Sequence, residues 1–153
     1  MHKQRIYIDT SVIGGCFDEE FQEWSNKLFD EFINGNKLAL LSKLTLDELV
    51  NARLEIKEII ISIPYEFIEY LLITNEAAEL AESYLKNKIV TKKSADDALH
   101  IAIATTNNAN VLVSWNFKHI VNLDKISKYN MINIINGYKT IEIRTPREVL
   151  NYG

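Results

Sequence analysis

Apolar positions along the chain fall into short continuous runs separated by longer stretches with helical spacing. The run RIYID predicts a buried strand that ends at Asp9, and KLALLS over 37–42 predicts a second strand. The run VLVSW from Val111 is rich in β-branched and aromatic residues, which favours a third strand. A last short strand is expected over 141–143.

Between these runs the pattern predicts helices. In the clearest case apolar residues recur every three or four positions after Asp18, acids fill the first turn, and Asn34 with Gly35 provides a stop. The apolar run before Pro64 fits a strand or a buried helix equally well and stays open. The predicted helices cover 18–34, 45–53 or beyond, 75–87 with Asn75 as cap, 94–106, and a segment through Asp124 to about Tyr129.

Strands that alternate with helices and carry uninterrupted apolar runs indicate an α/β fold around a mainly parallel sheet. In such sheets ligands bind beyond the carboxyl ends of the strands, where helices also begin. Asp9 and Asn116 follow predicted strands, while Glu48 and Asp97 are expected in the first turns of helices. We therefore expect all four side chains to face one rim of the sheet.

The composition is that of one ordinary globular domain covering residues 1–153. Hydrophobic residues make up 47% of the chain and charged residues 25%, which excludes the disordered class. The single cysteine, Cys16, excludes an internal disulfide, and the N-terminal segment has the form of neither a signal peptide nor a membrane span. A cytoplasmic protein that uses no membrane is expected. The net charge of −4 predicts that any contact with nucleic acid is local.

Each candidate acid also has a purely structural explanation. TLDE from Thr45 to Glu48 matches a capping box, and SADD from Ser94 to Asp97 resembles one. Capping does not explain why the acids converge, because three carboxylates at one edge repel each other unless a cation or protons compensate. Mg²⁺ or Mn²⁺ prefers oxygen ligands, whereas Zn²⁺ would need His or Cys groupings that the chain lacks. His100, one helical turn after Asp97, is interpreted as a hydrogen-bonded structural histidine.

Four motifs, in their order and spacing, resemble those of VapC-like PIN domains. They are IDTSVI from Ile8, TLDEL around Glu48, DALHIAIA from Asp97 and LVSWNFKHI from Leu112, and the similarity spans almost the entire chain. The resemblance implies a three-layer α/β/α nuclease fold, dependence on Mg²⁺ or Mn²⁺, and RNA hydrolysis that leaves a 5′-phosphate and a 3′-hydroxyl. For many members it also implies a toxin opposed by a cognate antitoxin, and self-association into a homodimer.

Carried over residue by residue, the resemblance makes Asp9, Glu48 and Asp97 metal-binding, catalytic acids. Asn116 is a departure, since many PIN domains place a fourth acid near this point, although it is still included in the predicted catalytic set. Its amide either offers a carbonyl oxygen or holds a metal-bound water, and a second metal should bind more weakly. The groups expected around the acids or against the substrate are Thr10, Ser11, Asp96, Ser114 and Lys118.

Positive and aromatic side chains near the acids are candidates for contact with RNA. The further charged candidates are Lys92, Lys93, Arg53 and His119, and solvated surface charge is the competing explanation for each. Trp115 and Phe117 either stack on bases or complete the core, and packing is predicted for at least one of them.

Other functions fit part of the pattern. An aspartate phosphatase of the haloacid-dehalogenase type would also place Asp9 at the end of the first strand, but Ser11 stands where that chemistry needs a second aspartate. The main alternative is a catalytically impaired PIN-like module that binds RNA or protein, with Asn116 marking the lost activity. A structural protein with coincidental caps would show no metal-dependent change in thermal stability.

Overall fold

Within residues 3–152, five parallel strands form one sheet at the centre of the molecule. A computed structural model describes the backbone of these residues and the side chains of residues 3–150. The strands are β1 (Arg5–Ile8), β2 (Leu38–Ser42), β3 (Ile68–Leu71), β4 (Val111–Val113) and β5 (Glu142–Arg144). Their order across the sheet is β3-β2-β1-β4-β5, and every neighbouring pair is parallel. The first strand is therefore central, between β2 and β4.

Helices connect the strands and cover the sheet. They are α1 (Thr10–Gly14), α2 (Gln22–Ile33), α3 (Lys43–Glu48), α4 (Leu54–Ile61), α5 (Asn75–Lys86), α6 (Ala95–Thr106), α7 (Leu123–Ile135) and α8 (Pro146–Tyr152). Short 3₁₀ turns occupy Gly15–Phe17, Tyr65–Phe67 and Lys92–Ser94.

The sheet is buried on both faces, as the apolar strands predicted. Alternate residues of a strand point to opposite faces, so Tyr7 belongs to one apolar cluster while Ile6 and Ile8 belong to the other. Helices α5, α6 and α7 supply the cluster that contains Tyr7, and α1, α2, α4 and α8 supply the opposite one. The predicted three-layer α/β/α fold with a mainly parallel sheet is confirmed.

Several helix boundaries differ from the prediction because the capping residue is a different one. Ser42, not Thr45, caps α3 by accepting a hydrogen bond from the Thr45 amide, so the proposed capping box was wrong and Glu48 ends the helix instead of lying in its first turn. Thr74, not Asn75, caps α5. Ser94 precedes α6 but makes no side-chain cap.

Further differences concern short elements. The strand expected over 141–143 lies one residue later, the helix expected to end near Tyr129 continues to Ile135, and the helix expected from Asp18 begins at Gln22. The undecided run before Pro64 belongs mainly to α4. The predicted stop of α2 is confirmed, since Asn34 is its C-cap and Gly35 has a φ of +76°.

None of the helices within residues 3–152 is long and apolar enough to cross a membrane. The side chain of Cys16 is buried and unpaired.

Candidate active site

Two neighbouring strands bring Asp9 and Ser114 together at the carboxyl rim of the sheet. Ile8 and Val113 are register partners, and each is the last residue of its strand. The next residues are Asp9 and Ser114, and the Ser114 hydroxyl donates to Asp9 Oδ2 at 2.6 Å. The pairing of β1 with β4 therefore fixes this contact across 105 residues of sequence.

Asp9 also begins helix α1. Its Oδ1 accepts from the Val12 amide at 3.2 Å and from the Ser11 hydroxyl at 2.7 Å, which makes it the N-cap of the helix. Ser11 Oγ in turn accepts from the Trp115 amide at 2.9 Å. Asp9 is 4% exposed, and its carboxylate accepts hydrogen bonds from three donors, none of which is a cation.

Burial raises the pKa of the Asp9 carboxyl. The charge of His100 and the hydrogen bonds from Ser11, Ser114 and Val12 act in the opposite direction but do not cancel the effect of burial. The ionised form of Asp9 thus lacks full charge compensation from the protein alone. A divalent cation next to it would supply the missing charge.

Glu48 reaches the rim from the last residue of α3. Its Oε1 accepts from Thr10 Oγ1 at 3.0 Å and from His100 Nε2 at 2.6 Å. Burial raises the pKa of the Glu48 carboxyl, but the hydrogen bond and charge of His100, together with Thr10, lower it overall. Because Thr10 directly follows Asp9, these bonds place Glu48 beside the end of β1.

Asp97 lies in the first turn of α6, as predicted, and contacts the loop after β4. Asn116 Nδ2 donates to Asp97 Oδ1 at 3.2 Å. Burial raises the pKa of the Asp97 carboxyl, and the charge of Asp9 raises it further, while His119, His100 and Asn116 lower it by less. The charge of Asp9 thus acts on the pKa of Asp97, so the two carboxyls lie close enough to interact electrostatically.

The carbonyl of Asn116 faces away from Asp97. Its Oδ1 accepts from the backbone amides of Lys118 and His119, at 3.2 and 3.0 Å, which fixes the orientation of the side-chain amide. The predicted option of a carbonyl ligand for a metal is therefore not supported by this geometry. Asn116 instead presents an N–H group to the carboxylate of Asp97.

The donor set is chemically suited to a hard cation, although the acids are not gathered around one point. Among the described side chains, Glu48 Oε2 and Asp97 Oδ2 accept no hydrogen bond, so each acid keeps one oxygen available. Within that same part of the chain, no three His, Cys, Asp or Glu side chains are placed so that they could hold one ion together. The carboxylates of Asp9, Glu48 and Asp97 thus share a rim, and their side chains would have to move for all three to bind one ion.

Comparison with known proteins identifies the family. The family model described as the PIN domain matches residues 6–120, which include every residue of the rim described above. The chain belongs to the PIN domain family. The resemblance inferred from the four motifs is thereby confirmed. No curated protein sequence matches the chain at a significant level.

Solved structures with the same fold come from several bacteria, and one of them is a toxin. This PIN domain matches VapBC2 from Rickettsia felis bound to a promoter DNA fragment, with a TM-score of 0.56 and 15% identity over 93% of this chain and 98% of the other. It matches VapC20 from Mycobacterium tuberculosis, a sarcin–ricin loop cleaving toxin, with a TM-score of 0.56 and 16% identity over 74% and 92%. It matches FitAcB from Neisseria gonorrhoeae with a TM-score of 0.55 and 16% identity over 92% and 97%. At these identities the similarity shows the shared fold.

The remaining predicted site residues of this PIN domain divide into two groups. Thr10, Ser11 and Ser114 all contact an acid directly. Asp96 and Lys118 are exposed, so they lie at the margin of the rim.

The further candidates for RNA contact are also at the surface or beside the rim. Lys92 and Lys93 are exposed in the turn before α6. Arg53 lies over the ring of Phe17, with 5.4 Å between the guanidinium carbon and the ring centre. His119 is partly buried, and its charge affects Asp97 as described above.

The two aromatic candidates have different environments. Trp115 is buried, stacks on Phe21 with 4.3 Å between ring centres, and donates from Nε1 to Ser25 Oγ at 2.9 Å. The prediction that at least one aromatic packs in the core is therefore confirmed. Phe117 is 52% exposed and is free to meet a ligand.

A buried polar chain behind Glu48 was not predicted from the sequence. His100 was interpreted as structural, and its hydrogen bonding is confirmed, but its partner was not predicted. His100 contacts Glu48 on one side and the Tyr7 hydroxyl on the other. The only signal in the sequence was the position of a histidine three residues after Asp97 on an otherwise apolar helix.

Proposed function

We propose that this PIN domain is a divalent-metal-dependent ribonuclease that hydrolyses phosphodiester bonds, and that it acts as the toxin of a toxin–antitoxin pair in the cytoplasm. Asp9, Glu48 and Asp97 are the proposed metal-binding and catalytic acids. Mg²⁺ or Mn²⁺ is the proposed cofactor.

One observation carries this proposal: three acids from distant parts of the chain reach one rim of a PIN fold, and two of them are left without full charge compensation. The pKa values of both Asp9 and Asp97 are raised, so the rim disfavours its own negative charge. Acids that served only as helix caps would not need to lie at one rim with raised pKa values. A cation site explains this arrangement, because the ion would offset the electrostatic cost.

The chemistry assigns separate tasks to the residues. A bound Mg²⁺ or Mn²⁺ would supply an activated water and stabilise charge on the phosphate. Asp9, Glu48 and Asp97 would hold it through carboxylate oxygens, with Ser11 and Ser114 fixing Asp9 and Thr10 fixing Glu48. Asn116 would orient Asp97 by hydrogen bonding.

Positive groups at the margin would position the RNA backbone. Lys118 follows Asn116, and Lys92 and Lys93 precede the helix of Asp97, so each lies next to an element of the rim. The exposed ring of Phe117 offers a surface for base stacking. These contacts are local, which agrees with a chain whose net charge is −4.

The test is cleavage of defined RNAs by purified protein in Mn²⁺ or Mg²⁺, compared with Asp9→Asn and Asp97→Asn. We expect cleavage by the wild type that EDTA abolishes, and a loss of at least about a hundredfold in each variant, because each removes a proposed ligand. Asp30→Asn is the matched control, since it removes an exposed charge on α2 and should leave cleavage unchanged. Equal cleavage by wild type and by both ligand variants would end the catalytic assignment.

A second candidate function is an impaired PIN module that binds RNA without cleaving it. The orientation of Asn116 favours it, because the amide supplies an N–H group to Asp97 where many relatives have a carboxylate. This alternative predicts RNA binding that persists in EDTA and is unchanged by Asp9→Asn. Binding and cleavage assays on the same RNA separate the two functions.

An apolar surface beside Glu48 supports the proposal of a protein partner. It is formed by residues of α3 and α4 and the connection between them, together with the edge strand β3. Its lining includes Leu46, Leu49, Val50, Ile60, Ile61 and Tyr70. Val50 is 61% exposed and Ile61 is 76% exposed, so together with their neighbours they form a contiguous apolar patch that meets solvent in the isolated chain.

The proposed occupant of this surface is the cognate antitoxin, sought as the product of the neighbouring reading frame. We expect that product to bind the PIN domain and inhibit cleavage, and Ile61→Asp to weaken the complex. Sedimentation of the isolated chain tests the proposed homodimer separately. Failure of a folded neighbouring product to bind would contradict the toxin role and leave the ribonuclease proposal standing.

A further inference from the structure

A hydrogen-bonded chain runs from the interior of the sheet to Glu48. The Tyr7 hydroxyl lies 2.7 Å from Ser42 Oγ and 2.6 Å from His100 Nδ1. On the other side of the ring, His100 Nε2 lies 2.6 Å from Glu48 Oε1. Because an ionised carboxylate only accepts hydrogen bonds, Nε2 must carry the proton that the pair shares.

Tyr7 and His100 are rigid, whereas Glu48 is not held by packing. Tyr7 is fully buried and His100 is 3% exposed, and their rings meet edge to face with 5.7 Å between centres. The Glu48 side chain is 32% exposed and stands at the end of a six-residue helix. The histidine therefore offers a fixed donor to a carboxylate that would otherwise sample several rotamers.

The two donors to Glu48 act on the same oxygen. His100 and Thr10 both bind Oε1, and Oε2 has no hydrogen-bond partner among the described side chains. One oxygen is thus anchored to the protein while the other stays free. This is the arrangement expected of a carboxylate that binds a cation through one oxygen.

We propose that Tyr7 and His100 are positioning residues that hold Glu48 in the orientation in which it binds the divalent ion. The inference rests on the proposed function, since it concerns the same acid. Hydrogen-bonding groups behind a ligand commonly change metal affinity by about tenfold to a hundredfold when they are removed. The inference differs from a structural role for His100 because it predicts a loss of metal affinity that is separate from a loss of stability.

The test is calorimetric titration of the full-length chain with Mn²⁺. We expect His100→Ala to weaken Mn²⁺ binding by at least about tenfold. His100→Gln should recover part of the affinity, because the glutamine amide can still donate to Glu48. Tyr7→Phe should give an intermediate loss, since it frees the histidine ring without removing its donor.

Tyr84→Phe is the matched control. Tyr84 is also fully buried in the same apolar cluster, but its hydroxyl donates to Asn133 on α7 instead of to the rim. Urea unfolding should show that Tyr84→Phe is destabilised as much as Tyr7→Phe. The Tyr84→Phe variant should nevertheless bind Mn²⁺ as tightly as the wild type. Equal losses of Mn²⁺ affinity in Tyr7→Phe and Tyr84→Phe would overturn the inference, because the effect would then report general destabilisation.

The outcomes separate this inference from the proposed function. If the wild type binds Mn²⁺ and cleaves RNA while His100→Ala binds Mn²⁺ equally well, the positioning role alone is overturned. If the wild type binds no Mn²⁺, both proposals fail. Nitrogen NMR of the metal-free protein gives an independent reading: a proton on His100 Nε2 is expected, and an unprotonated Nε2 would overturn the contact with Glu48.

Discussion

Asp9 shows how one side chain serves both the fold and the site. Its carboxylate caps α1 and ties β1 to the end of β4, yet burial raises its pKa. The same residue therefore organises the rim and destabilises it electrostatically. Such a conflict is common where stability is given up for function.

We predict that Asp9→Asn stabilises the metal-free protein while abolishing cleavage. The amide can keep the bonds from Val12 and Ser11 through Oδ1 and can donate to Ser114, but it carries no charge. We expect a rise in Tm of about 2–4 °C in EDTA at neutral pH, equivalent to roughly 1 kcal/mol in a domain of this size.

The raised pKa of Asp9 fixes the pH dependence of this effect. The destabilising contribution is absent below the ordinary pKa of aspartate, about 4, and grows as pH rises through the raised folded-state value. The difference in Tm between Asp9→Asn and wild type should therefore be largest at neutral pH and shrink in acid. A difference that is constant from neutral pH to pH 4, or that Asp30→Asn reproduces, would contradict this explanation.

Asn116→Asp probes the departure from the common PIN pattern. The new carboxylate would lie about where Asn116 Nδ2 stands, 3.2 Å from Asp97 Oδ1, so the metal-free protein should be destabilised by like-charge repulsion. We expect a Tm lower by about 2–4 °C in EDTA and a larger rise on adding Mn²⁺ than in wild type.

A double-mutant cycle is the control for this substitution. In an Asp97→Asn background the repulsion between the two carboxylates disappears. Adding Asn116→Asp should then lower the Tm in EDTA only slightly. An unchanged response to Mn²⁺ in the single variant would remove Asn116 from the site.

At the scale of elements, α3 connects helix capping to the rim. Ser42 is the last residue of β2, caps α3 through the Thr45 amide, and contacts the Tyr7 hydroxyl. The short helix that carries Glu48 thus starts from the same hydroxyl that supports the buried chain behind Glu48. A substitution at Ser42 should therefore alter the position of Glu48.

We predict that Ser42→Ala and Thr74→Ala both destabilise the fold, but that only Ser42→Ala weakens Mn²⁺ binding. Each removes an N-cap, which costs about 1 kcal/mol and is measurable by urea unfolding. Thr74 caps α5 and makes no contact with the acids, so it is the matched control. Equal Mn²⁺ affinity in the two variants would show that capping and the rim are independent.

Elements with a clear apolar pattern were predicted from the sequence, whereas short elements without such a pattern were missed. Uninterrupted apolar runs were enough for β1, β2 and β4, and helical spacing was enough for α2, α5 and α6. Helix α1 was missed because TSVIGG carries two glycines and no periodic pattern, and the helix depends on Asp9 as its cap. Strand β3 was missed because it is four residues long, at the edge of the sheet, with exposed Glu69 and Tyr70.

The members of the proposed site were chosen from the sequence, whereas their contacts became visible only in the structure. Each acid could be located by its place after a strand or on a helix, because the rim of a parallel sheet collects such positions. The bonds from Ser114 to Asp9 and from His100 to Glu48 depend on strand order and helix rotation, which local sequence does not specify. The sequence identified Asn116 as a departure from the common PIN pattern. The orientation of its side-chain amide is set by hydrogen bonds from the backbone amides of Lys118 and His119, which the sequence did not reveal.

At the scale of the whole molecule, the proposed function requires an acidic chain to bind an anionic substrate. The net charge of −4 works against long-range attraction, so the proposed binding must depend on a few cations at the rim. This would distinguish the protein from nucleic-acid binders that cover many phosphates. The consequence is a measurable salt dependence.

We predict that KM for a single-stranded RNA rises only moderately with salt. If two or three phosphates are contacted, log KM should increase with log salt with a slope of about 1.4–2.1, since each contact contributes about 0.7. Lys118→Ala should lower the slope by about 0.7. Lys139→Ala is the control, because Lys139 lies beside Asn108 and Asn110, before the start of β4, and it should leave the slope unchanged. A slope that Lys118→Ala does not alter would remove this lysine from the substrate path.

The central claim is that Asp9, Glu48 and Asp97 bind one divalent ion between them. Anomalous diffraction at the manganese edge from crystals grown with Mn²⁺ tests it most directly. We predict an anomalous peak at the carboxyl rim, about 2.0–2.3 Å from an oxygen of each of the three acids. A fully occupied Mn²⁺ bound elsewhere, or a rim without a peak in crystals soaked well above the solution affinity, would contradict it.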